Sequence, residues 1–87
     1  MPDTQGLAIM NCALALPPKW DAFRQAVCAA YASEGHDQMI LFRSCVDMAN
    51  TLKQEGGFKQ LSQSESNLFN IIYAAVDEMY TQLKAPP

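Results

Sequence analysis

The sequence predicts an all-α fold: a small bundle of three to four helices, mostly antiparallel, in a single domain over residues 1–87. Three observations carry this. First, twelve Ala, eight Leu and five Met stand against four Ile, three Val and three Thr. That balance favours helix, where unbranched side chains lose little rotamer freedom. Second, Leu68, Phe69, Ile72, Tyr73, Val76, Met79, Tyr80 and Leu83 recur at helical spacing in the last third of the chain. Third, Pro17-Pro18, Gly35 and Gly56-Gly57 punctuate the chain into four segments. At 49% apolar and 17% charged, the chain has enough apolar material for a core.

The first segment predicts a helix over about 5–16. Alternation would equally place Ala8, Met10, Cys12, Leu14 and Leu16 on one strand face, but the Ala, Leu and Met content favours helix. As a helix it is apolar nearly all round, so it must be buried or touch something outside the domain. The second helix runs from about Pro18 to Ser33, with Pro18 at a first-turn position. Trp20, Phe23, Val27 and Tyr31 share one face, and Ala22, Ala26, Ala29 and Ala30 form a thin strip beside it that lets another helix come close. Gly35 is expected to cap this helix in the left-handed region. Asp37 is expected to cap the third helix, over 37–54, whose apolar residues occupy about half of the wheel. Phe58 and Leu61 are expected to pack the connection that follows.

Ser62 and Glu65 form a capping box that opens the fourth helix, over 63–84. Its apolar arc spans roughly 160°, wider than the ~100° stripe that seats a surface helix. The Leu68, Ile72 and Met79 edge is expected to face the core. The Phe69, Tyr73 and Tyr80 edge is then left as a candidate contact surface. Ile71 and, on the third helix, Ile40 fall outside the apolar arcs and complete the expected partner-binding set.

No motif assigns a chemistry. His36 is the one histidine, in Glu34-Gly-His-Asp37, with no second ligand at metal spacing. Cys12, Cys28 and Cys45 show no Cys-x-x-Cys pair, and the odd count reads as reduced thiols. Asp77 and Glu78 diverge by about 100° around their helix, a poor acid–base pair. Gly56-Gly57 lacks the Lys-Ser/Thr of a phosphate loop and reads as a helix terminator. No catalytic, cofactor or metal site is expected.

The net charge of −3, with no Lys/Arg cluster, disfavours direct nucleic-acid binding and an anionic membrane surface. The apolar run Leu7–Leu16 has the length of a signal-peptide core, but the one charge before it is Asp3, where a signal carries Lys or Arg. A cytoplasmic location is expected. These readings favour a non-catalytic interaction module, a regulator or inhibitor that docks on another protein or a second copy of itself. One variant is a phage- or mobile-element-type inhibitor of a host nucleic-acid-processing complex. The reading of a different class is a small-ligand or thiol/His-dependent site between helices.

Overall fold

Four helices alternate in direction around one core. A computed structural model of the chain describes residues 4–56, 59 and 61–84. The helices are α1 (Thr4–Leu14), α2 (Asp21–Ala32), α3 (His36–Gln54) and α4 (Gln63–Lys84). The all-α reading holds. α1 packs on α2 and α4, α2 on α3, and α3 on α4, closing a ring of four. The core that they share includes Ile9, Val27, Phe42, Cys45, Ile72 and Val76.

The boundaries follow local chemistry. Pro17 and Pro18 supply no N–H, so the chain forms a 3₁₀ turn over Pro18–Trp20 before α2, closed by Trp20 N donating to the Pro17 carbonyl at 2.9 Å. That turn, absent from the predicted single helix over 18–33, drops Trp20 into the core. At the start of α4 the Ser62 N–H donates to Glu65 Oε1 at 2.9 Å and the Glu65 N–H donates to Ser62 Oγ at 3.2 Å, the reciprocal box that the sequence predicts. Ser62→Ala is expected to cost about 0.5–2 kcal/mol. A thermal melt followed by circular dichroism reads this as a lower midpoint; an unchanged midpoint contradicts it.

Two caps differ from expectation. Asp37 lies in the first turn of α3, and the N-cap is Gly35, with no side-chain cap. Gly35 has φ +72° and ψ −150°, so its positive φ serves the start of α3, where the chain reverses, and not the end of α2. The end of α2 is closed by the Ser33 N–H, which donates to the Ala29 carbonyl at 3.1 Å, together with two side chains. Ser33 Oγ donates to the Ala29 carbonyl at 2.9 Å, and Gln38 Nε2 reaches across from α3 to the Ala30 carbonyl at 3.2 Å. Gly56 also adopts positive φ just after α3, and Leu61 packs partly buried against the core. Phe58 and Gly57 lie outside the described residues.

The core is aromatic on one diagonal. The Phe69 ring of α4 meets Trp20 edge-on at 5.4 Å and Phe23 at 5.6 Å. Tyr31 and Phe42 make a second edge-to-face pair at 4.8 Å between α2 and α3. Among the described residues no polar or charged residue is buried.

Candidate interaction surface

The broad arc of α4 is buried along Phe69, Ile72 and Val76 and half-buried on both edges. Tyr73 Oη donates to Asn50 Oδ1 of α3 at 2.9 Å, and Lys53 Nζ sits 4.3 Å from the Tyr73 ring centroid. Tyr73 therefore reaches across to α3 and is half-buried, while Asn50 and Lys53, its two partners there, are exposed. Phe69 is fully buried between Trp20, Phe23 and Tyr73, so it is not available to a partner. Tyr80 is half-buried, with Lys84 Nζ 4.8 Å from its ring. An arc of about 160° is what a helix needs when two neighbours in a ring of four flank it. Ile40 and Ile71 are exposed at 48% and 51%, as their wheel positions predict. They lie on different helices, each among polar neighbours such as Arg43 and Asn70.

The larger apolar exposure lies on α1. Ile9 and Ala13 point into the core, while Leu7 and Leu14 are 51% and 54% exposed. The two leucines are seven residues apart, so they project from one flank, with half-buried Met10 between them and the core edge. Arg24 of α2 lies beside this flank: its Nη2 donates to the Leu14 carbonyl at 3.2 Å, and its Nη1 is 3.9 Å from Asp21. The cation thus serves the C-terminal end of α1, where unsatisfied carbonyls concentrate negative potential and where α1 has no basic residue of its own. The wheel of α1 is apolar nearly all round, with exposed Asn11 standing beside Leu7 and Leu14 on the outer flank. Which side stays open is set by α2 and α4.

Two concavities complete the surface. One, about 370 Å³, lies where the start of α1, the α2–α3 turn and the second half of α4 meet, and Gln5, Glu34, Gln38, Glu78 and Gln82 contribute polar groups to it. The other, about 330 Å³, is a shallow apolar groove between the 3₁₀ turn and α3, with Trp20, Phe23, Met48 and Leu52 in its floor and walls. Of the alanine strip Ala22 lines this groove, together with Met48 and Thr51 of α3.

The reactive side chains are dispersed. His36 and Asp37 are exposed in the first turn of α3, and Asp77 and Glu78 are exposed on α4. Among the described residues no group of three His, Cys, Asp or Glu is placed to hold a metal ion. Also among the described residues, no helix is long and apolar enough to cross a membrane. Burial pushes the Cys45 thiol from 9.0 up to about 12, with a smaller contribution from Cys28. A thiol held protonated in this way is a poor nucleophile at neutral pH.

The same shift sets a pH dependence. As pH rises above 9.0, Cys45 ionises in the unfolded chain but stays protonated in the folded one until about 12. Its contribution to stability therefore falls with rising pH in that window, by about 1.4 kcal/mol per pH unit. Urea unfolding of wild type and Cys45→Ala across alkaline pH is expected to show the steeper loss in wild type. Parallel pH profiles contradict it. Compared with family models, with curated proteins and with solved structures, the chain finds no match.

Proposed function

We propose that the protein is a non-catalytic interaction module that docks through the outer flank of α1. One observation carries this reading: the bundle is closed by its own four helices, and Leu7 and Leu14 still stand half-exposed on one face. On this reading the surplus apolar surface is the α1 flank, which the exposure of Leu7 and Leu14 supports, and not the tyrosine edge of α4. Residues 4–18 carry no Asp, Glu, Lys or Arg, so this flank has none of the charge that keeps a surface helix in water. Covering the exposed halves of both leucines is worth roughly 1.5–3 kcal/mol. Association costs at least about 4 kcal/mol in lost rigid-body freedom, so neighbouring side chains must join the contact. Half-buried Met10, next to the two leucines on α1, is available to do so.

The test is a comparison of wild type with Leu7→Ser/Leu14→Ser in quantitative crosslinking capture. Both positions are half-exposed, so the double variant is expected to keep its melting midpoint to within a few degrees. A partner bound through α1 is lost from the variant and retained by wild type. Identical capture profiles from two equally folded chains would remove the reading.

A further inference from the structure

Independently of the α1 flank, we propose that the cleft of about 370 Å³ at the α2–α3 turn binds a small organic cation: a guanidinium or primary ammonium head on a short apolar stem. Its volume lies near the lower end of the ~300–1,000 Å³ range of small-molecule sites, which suits a ligand of that size. Three stretches of chain enclose it: the first turn of α1, the turn between α2 and α3 with the helix ends beside it, and the second half of α4. Buried Tyr31 and half-buried Ala75 and Met79 give it an apolar part, against which a hydrocarbon stem can pack.

The sign of the site follows from what lines it. Two helices begin at the cleft, α1 with Gln5 and Gly6 and α3 after Gly35, and two end there, α2 before Ser33 and α4 with Gln82 in its last turn. Each start carries about half a positive charge and each end about half a negative one, so these contributions cancel. Glu34 and Glu78 are the charges that remain, and no Lys or Arg lines the cleft. Arg43 and Lys84, the basic residues nearest in sequence to lining positions on α3 and α4, lie about 140° from Gln38 and about 160° from Gln82 around their helices. Lys84 is set over the Tyr80 ring instead. Hydrogen bonding agrees with the charge. The Gln38 amide donates to the Ala30 carbonyl at 3.2 Å, the Gln82 amide to Glu78 Oε1 at 3.2 Å, and the Ser33 hydroxyl to the Ala29 carbonyl at 2.9 Å. The carbonyl oxygens of Gln38 and Gln82 and the second oxygen of Glu78 are left to accept, the complement of a head that only donates. An anion in the same place would face both carboxylates.

The experiment is a titration of the full chain followed by amide chemical shifts. The probes are n-butylguanidinium and n-butylammonium, with n-butanol and butyrate as neutral and anionic controls of similar length. Both cations are expected to saturate shifts at Gln5, Gly35, Gln38 and Gln82 with a Kd of about 1 mM, at least about fivefold tighter than either control. Glu34→Gln/Glu78→Gln keeps the size of both side chains and is expected to weaken cation binding at least about fivefold. Asp77→Asn removes a charge next in sequence to Glu78 but outside the lining, and is expected to change affinity less than about twofold. Shifts that stay linear in cation concentration to about 20 mM overturn the proposal. So does equal affinity for n-butanol, a preference for butyrate, or a loss in Asp77→Asn as large as in the double variant, which would trace binding to net charge alone. Should the double variant melt lower than wild type, the ranking of cation over n-butanol and butyrate on wild type decides. N-acetyl-arginine N′-methylamide presents the same head from a peptide backbone. If it binds more tightly than n-butylguanidinium, the site takes a basic side chain of a protein; if more weakly, it takes a free small molecule; either result keeps the site.

Discussion

Phe69→Ala is expected to destabilise the fold by about 3–5 kcal/mol, the range for removing a fully buried aromatic ring. Phe69 is completely inaccessible, and its ring touches Trp20, Phe23 and Tyr73 at centroid distances of 5.4, 5.6 and 6.3 Å. Those contacts join α4 to the 3₁₀ turn and α2 across the diagonal of the ring, where truncation leaves a void that helices pinned on two sides cannot close. A domain of this length has on the order of 4–13 kcal/mol of total stability, so the variant is expected to be marginal or unfolded. Urea unfolding by tryptophan fluorescence reads it directly, because Trp20 packs on the ring that is removed. A loss under about 1 kcal/mol would mean that Phe69 is at a surface, as the wheel of α4 alone suggests.

Gly35→Ala is expected to cost about 1–3 kcal/mol through the backbone alone. At φ +72° and ψ −150° the residue occupies a region that is essentially restricted to glycine. No heavy atom lies within 4 Å of where a Cβ would stand, so steric collision adds nothing. The comparison that isolates the effect is Gly35→Ala against a substitution at exposed Glu34, with stability read by urea unfolding. Equal stabilities would show that the turn relaxes into a conformation open to any residue.

How legible each feature is depends on how far apart its partners lie. The Ser62–Glu65 box is legible because both hydrogen bonds close within four residues. Gly35 is legible as a special position, but not the helix it serves, since a positive φ between two helices belongs to whichever one the chain turns into. The width of the apolar arc on α4 is legible too. Its tyrosine edge reads as surface because a wheel gives the breadth of a face and not the number of neighbours that cover it. Asn50 and Lys53, the two residues that hold Tyr73 on α3, lie 23 and about twenty positions away. The exposure of Leu7 and Leu14 is beyond sequence reasoning for the same cause. α1 is apolar on nearly every side, so the placement of α2 and α4 decides which flank water reaches.

Solvent paramagnetic attenuation of methyl signals tests the central claim most directly, at a protein concentration low enough to keep the chain as single copies. With a soluble spin probe, the Leu7 and Leu14 methyls are expected to broaden strongly, while those of Leu16, Ile72 and Val76 stay sharp. Leu7 and Leu14 methyls as protected as that of Ile72 would contradict the claim, because the bundle would then hide the flank on which its proposed docking depends.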